Sequence, residues 1–231
     1  MSGLQTIVDN ASGMTINRRK VVGIQITKNE IPRLSTTPTK NPWQITLDMP
    51  TSFIYSDARA LMEAIDTLDQ TGYQDITFSN NACLSWIFAY QGELDATQLS
   101  NITVGNNGFV GNVLELDVSL VTGAASQIMF KPNDLIQIGT NPYPFTVTTE
   151  VLRGSGTTVS IVMSRPNILT SSIFGNNITV GNACTFRMFC PNMPVYKLVP
   201  GGYAQANGVT TSNAFIEWSD SFGLYEYVGT S

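Results

Sequence analysis

Trp43, Ile45, Leu47 and Met49 alternate with Gln44, Thr46 and Asp48, so 43–49 predicts a strand with one buried face. A second alternation runs through 144–152, with Phe145, Val147, Thr149 and Val151 on one side and Thr146, Thr148 and Glu150 on the other. Gly154-Ser155-Gly156 then predicts a hairpin closing onto Val159, Ile161 and Met163. Shorter apolar runs predict further strands at 20–27, 74–78, 84–91, 112–120 and 134–139. Between the first two strands, "EIPRLSTTPTKNP" holds three prolines and predicts an extended loop. The period changes in "YSDARALMEAIDTLDQTG". There Leu61, Ala64, Ile65 and Leu68 take helical spacing, Ser56 or Asp57 can cap the start, and Gly72 stops it. This is the one strong helix that the pattern contains.

"NITVGN" occurs at 101–106 and again at 177–182, and predicts equivalent strand-and-turn elements near the two ends of one unit. The last segment returns to strands and ends on an aromatic-rich run with Trp218, Phe222, Tyr225 and Tyr227. A closing strand of that quality needs a partner sheet, and the N-terminal strands supply one. The expected fold is therefore mainly β, with two small β-barrels or sandwiches. Residues 1–98 form the first with one packed α-helix and are completed by 196–231; residues 99–195 form a second barrel inserted before the closing strands. The turn Asn141-Pro142-Tyr143-Pro144 is expected to fix a barrel corner, with Tyr143 a candidate to touch a partner.

Composition narrows the function. Only 13% of the residues are charged, so Asn, Thr, Ser and Gln must supply the polar surface. With 19 Gly and 11 Pro this suits short strands and tight turns rather than a helical bundle. The net charge of −5 argues against general nucleic-acid binding. That charge is unevenly placed. Residues 1–40 carry six cations, Arg18, Arg19, Lys20, Lys28, Arg33 and Lys40, against Asp9 and Glu30; every other acid lies beyond them. A basic arm on an acidic body predicts salt-screened, head-to-tail attraction between copies, with Arg18, Arg19 and Lys20 the leading contact candidates. The alternative is a solvated N-terminal segment. No apolar run reaches membrane-spanning length and no signal-peptide pattern opens the chain, so synthesis in a cytosol is expected.

Chemistry is constrained further by the absence of histidine, which removes Ser-His-Asp and Cys-His catalysis and most zinc sites. Cys83, Cys184 and Cys190 sit in apolar settings and read as buried small hydrophobes, not a disulfide framework. No phosphate-binding or dinucleotide loop is present. Glu63, Asp66 and Asp69 are spaced by three along the helix and read as its solvent face rather than a glycosidase pair. No enzyme activity, catalytic residue, cofactor or metal is expected.

The order of pieces adds a resemblance. "NPWQITLDMP", "SDARALMEAIDTLD" and "QDITFSNN" together resemble the strand–helix–strand opening of distal-tail, or hub-like, proteins of tailed bacteriophages. "KPNDLIQIGTNPYPFTVTTEVLRGSGTTVSIVMSRPNIL" resembles that family's second barrel, and "IEWSDSFGLYEYV" its closing strand. The chain is also similar to virion structural proteins of marine cyanophages with contractile tails. It departs from the family in its long Asn/Thr-rich ending, "VPGGYAQANGVTTSNA". The resemblance implies a non-catalytic structural subunit of a phage tail or baseplate, a homo-oligomeric ring or adaptor that contacts other tail proteins. Its place would be the virion, after assembly in the host cytoplasm, with no membrane. The alternative is a glycan-binding module for host surface sugars, using aromatics such as Tyr143 and Tyr203.

Overall fold

The computed structural model describes residues 3–17, 22–26, 32–36, 42–50, 54–66, 72–169, 172–206 and 209–228. The chain is mainly β, with 39% of residues in strands and 16% helical. It opens with α1 (Gly3–Asn10), β1 (Gly13–Asn17), β2 (Val22–Ile26), β3 (Pro32–Thr36) and β4 (Gln44–Asp48). Next come α2 (Tyr55–Asp66), β5 (Gln74–Ile76), α3 (Ala96–Ser100), β6 (Thr103–Val110) and β7 (Val113–Asp117). The middle holds β8 (Ile128–Phe130), β9 (Leu135–Ile138), β10 (Phe145–Thr146), β11 (Val151–Leu152) and β12 (Thr158–Val162). The last are β13 (Ile178–Val180), β14 (Phe186–Phe189), β15 (Tyr196–Ala206), β16 (Val209–Trp218) and β17 (Phe222–Glu226).

Two compact units result. The first comprises residues 1–17, 43–86 and 186–231; the second comprises 18–42 and 87–185. The boundaries thus differ from the expected 99 and 195. Residues 87–98 fall in the second unit, and β14 belongs to the first because it pairs with both β5 and β17.

The first unit is built on one antiparallel sheet in the order β1-β4-β17-β14-β5. Strand β17 lies beside β4, with Leu224 opposite Ile45 and Phe222 opposite Leu47. The alternation along β4 translates directly into burial: Trp43, Ile45, Leu47 and Met49 are buried, and Asp48 is exposed. Phe78, Phe186 and Phe222 fill the centre, and Leu61 and Met62 of α2 are buried too.

Helix α1 is an element the sequence pattern does not reveal. Eight residues are too few to be helical alone, but Leu4, Ile7 and Val8 are buried at helical spacing. Side chains anchor it. Gln5 donates to the Thr77 carbonyl at 2.9 Å and accepts from the Thr77 N–H at 2.8 Å. Asn81, only 1% exposed, donates to the carbonyls of Val8 and Ala11 at the helix end, where Val8 also accepts from the Ala11 N–H. Its Oδ1 accepts from the Cys83 and Leu84 N–H groups. That turn explains why 84–91, expected as a strand, instead forms a 3₁₀ turn at Ser85–Phe88, with Trp86 72% exposed.

In the second unit two three-stranded sheets, β12-β7-β6 and β10-β9-β13, share a core of residues such as Ile102, Leu114, Leu116, Phe130, Ile136, Phe145 and Ile161. Among the described residues their edges meet at isolated bridges, Thr103 with Asn177 and Val147 with Met163. No closed barrel forms among the described residues. The two "NITVGN" copies meet at the first of these seams, since Thr103 and Asn177 belong to one copy each.

The expected single strand at 144–152 divides. β10 pairs with β9, whereas β11 pairs with β8, so Thr149 between them is exposed and Thr146 is buried. A chain that changes partners cannot keep one alternation. Nor is Gly154-Ser155-Gly156 a hairpin tip joining paired strands, because β12 pairs with β7. The turn wraps around Arg153, whose guanidinium donates to the carbonyls of Val118, Val121, Gly154 and Gly156. The expected loop at 30–42 contains β3, which pairs with β2 from Pro32 onward. A proline is accommodated as the first residue of a strand.

The three cysteines are free thiols, but Cys83 is exposed while Cys184 and Cys190 are buried. Burial pushes the Cys190 thiol up to about 11 and raises Cys184 still more strongly. A thiol reagent such as DTNB should therefore titrate one cysteine in the native protein and all three in denaturant. Rapid native labelling of two or more would contradict this packing.

Candidate functional site

The sequence candidates separate in space or in description. Arg18, Arg19 and Lys20 lie outside the described residues, as does the side chain of Tyr203. Tyr143 is half-buried in the β9–β10 corner. There its N–H donates to the Asn141 carbonyl, and Asn141 donates twice to Ile138. Pro142 and Pro144 are buried on either side. Below them lies a residue the sequence does not flag. Arg165 is 3% exposed, donates to the Pro144 carbonyl at 2.9 Å and places its guanidinium 4.9 Å from the Phe145 ring centre. The corner is thus a packed structural device. Glu63 is exposed on α2.

One buried carboxylate in the second unit also has a structural explanation. Asp134 is 2% exposed and accepts from the N–H groups of Gln91 and Lys131. Desolvation raises its pKa, and those hydrogen bonds oppose the rise. It ties together two loops far apart in the chain.

Concave geometry appears instead in the first unit, around the turn Ser219-Asp220-Ser221 that joins β16 to β17. Trp218 ends β16 and packs edge-on against Phe222 at 5.0 Å and Tyr196 at 5.6 Å, which holds the turn's base. The Ser219 N–H donates to the Val195 carbonyl at 2.9 Å. The Ser221 hydroxyl donates to Asp48 Oδ1 at 2.5 Å, and the Ser221 N–H donates to Asp220 Oδ1 at 2.8 Å. On one side of the turn is a cavity of about 440 Å³ bordered by Asp48, Glu217, Trp218 and Asp220. On the other is a cleft of about 370 Å³ bordered by Asn192, Pro194, Asp220, Gly223 and Tyr225. Among the described residues no Lys or Arg lines either one, and Asp48, Glu217 and Asp220 make no ion pair.

The second cleft continues onto an outer sheet face that is unusually aromatic for a solvent-facing surface. Tyr73 and Tyr227 stack at 4.8 Å with planes 17° apart. The Arg187 guanidinium sits 4.7 Å from the Tyr73 ring centre and pairs with Asp75 at 2.9 Å. Phe189 lies 6.0 Å from Tyr225 and 6.2 Å from Tyr227. Tyr73, Tyr225 and Tyr227 are 48%, 40% and 41% exposed. The only sequence signal for this surface is the density of aromatics in the closing strand. Its carboxylates and Asn192 are scattered along the chain and become neighbours only through strand pairing.

Among the described residues no group of three or more Cys, Asp or Glu side chains is arranged to hold a metal ion, and no helix is long and apolar enough to cross a membrane. The chain matches no protein-family model, and no curated protein shows significant sequence similarity to it.

Proposed function

We propose that the chain is a structural, non-catalytic subunit of a bacteriophage tail or baseplate. It assembles with copies of itself into a ring or adaptor in the host cytoplasm and docks other tail proteins in the virion. The observation that carries this reading is the presence of two separate two-stranded ribbons, β2–β3 and β15–β16. Strands β15 and β16 are 11 and 10 residues long and pair with each other. Beyond that ladder, the described residues give β16 only the single bridge between Ile54 and Phe215. An open-edged ribbon of that length is marginal by itself and invites pairing with another chain. Strand addition supplies such a partner through main-chain hydrogen bonds, and closed symmetry multiplies modest interfaces into a stable ring. The resemblance of the strand–helix–strand opening to distal-tail proteins and the division of charge between arm and body support the same reading.

Light scattering on the purified chain at low and high salt tests it. The expected result is a defined multimer whose mass falls as salt rises, and reversing the charges of Arg18, Arg19 and Lys20 should produce the same fall at low salt. A monomer at both salt concentrations overturns self-assembly into a ring.

A further inference from the structure

We propose that the cleft beside Tyr225 binds a sugar ring, with Tyr225 as the stacking platform and Asp220 and Asn192 as hydroxyl partners. This goes beyond the ring reading and does not depend on it. The other aromatics of this face are already engaged: Tyr73 and Tyr227 stack on each other, and Arg187 covers Tyr73. Tyr225 differs. It is 40% exposed, lines the cleft, and its hydroxyl has no hydrogen-bond partner among the described residues. Gly223, two positions earlier on the same strand face, also lines the cleft. A Cβ at this position would lie 3.6 Å from the Tyr225 ring edge, so any longer side chain would begin to cover that edge. Glycine leaves the approach open.

The lining chemistry selects the ligand class. A pyranose presents an apolar C–H face, which an aromatic ring can accept, and a rim of hydroxyls that need both donors and acceptors. Asp220 offers an acceptor: one oxygen is held by the Ser221 N–H, and the other has no partner among the described residues. Asn192 adds an amide that donates and accepts, and Ser219 adds a hydroxyl. Among the described residues no Lys or Arg lines the cleft, so its lining favours hydroxyls over a phosphate or sulfate. The volume of about 370 Å³ lies within the range of small-ligand sites.

The test uses the full chain and a panel of methyl glycosides of glucose, galactose, mannose and N-acetylglucosamine, read by saturation-transfer NMR. An array of bacterial surface polysaccharides extends the panel. At least one sugar should bind saturably with a millimolar dissociation constant. Tyr225→Ala should weaken it by about tenfold or more, the loss of a principal contact. Tyr225→Phe should retain most of the affinity, because stacking survives. Asp220→Asn should weaken binding without disturbing the sheet, and Tyr143→Ala should change nothing. Should Tyr225→Ala prove misfolded by circular dichroism, the Asp220→Asn and Tyr225→Phe pair decides the matter. The proposal is overturned by an absence of saturable binding across panel and array, or by binding indifferent to both Tyr225→Ala and Asp220→Asn. It is overturned too if Tyr225→Ala lowers the particle mass while sugar binding is absent, since the face is then a contact between copies. A ring without sugar binding, or sugar binding by a monomer, tells the two readings apart.

Discussion

Replacing Phe186 with alanine is expected to cost the first unit about 3–5 kcal/mol, a large part of the stability of a typical domain. Phe186 is 1% exposed at the start of β14. It meets Trp43 edge-to-face at 5.2 Å and Phe78 edge-to-face at 5.6 Å, so its ring joins three strands' worth of core in one aromatic cluster. Truncation removes buried area and both ring pairs, and the β4 and β17 ladders on either side of the cluster limit collapse into the void. The chain offers a convenient reporter. All three tryptophans, Trp43, Trp86 and Trp218, belong to the first unit, so urea unfolding followed by tryptophan fluorescence reads that unit selectively. A midpoint shift equivalent to less than about 1.5 kcal/mol would show that the cluster is far looser than its geometry implies.

The second large effect is expected in the other unit and turns on the repeated hexapeptide. Gly181→Ala should destabilise by about 2–4 kcal/mol, the sum of left-handed backbone strain and overpacking. Gly181 has φ +74°, and a Cβ there would sit 2.9 Å from the Tyr90 amide nitrogen and 3.1 Å from the Phe88 carbonyl oxygen. Both are main-chain atoms and cannot rotate away. Gly105, the same position in the first "NITVGN", has no positive φ. A Cβ there would meet the carboxylate end of Glu115, whose nearby hydrogen bonds to Asn107 lie at the exposed surface. Gly105→Ala should therefore cost less than about 1 kcal/mol. Hydrogen exchange at the amides of β9 and β13, compared between the two variants, measures the difference. Equal losses would mean that the two copies have the same structural role, which the backbone geometry contradicts.

These two sites show where the sequence is legible and where it is not. The buried face of β4, the helical stripe that places Leu61 in the core and the strand at 74–76 can all be read locally, because period 2 or 3.6 survives wherever a segment keeps one partner face. The reading breaks where partners change. Thr149 was expected inward by alternation and lies outside, since β10 and β11 belong to different sheets. Ser85–Phe88 was expected as a strand, but buried Asn81 holds the preceding turn through its carbonyl oxygen. Cys83 was expected in the core for its apolar neighbours and is exposed on that turn. Helix α1 is invisible because its eight residues depend on Gln5 and Asn81, side chains whose partners lie some 70 residues away in the chain.

By itself, then, the sequence determined the mainly-β class, a helix opening near Tyr55 and an unequal division of charge. Each is a local or additive property, set by residue type and spacing. Only the tertiary structure decided which strands share a sheet, that isolated bridges join the two sheets of the second unit, and that Asp48, Asn192, Asp220 and Tyr225 gather around one turn. Such groupings depend on pairing between residues far apart in the chain, and a periodicity of two says which face is buried without saying against what.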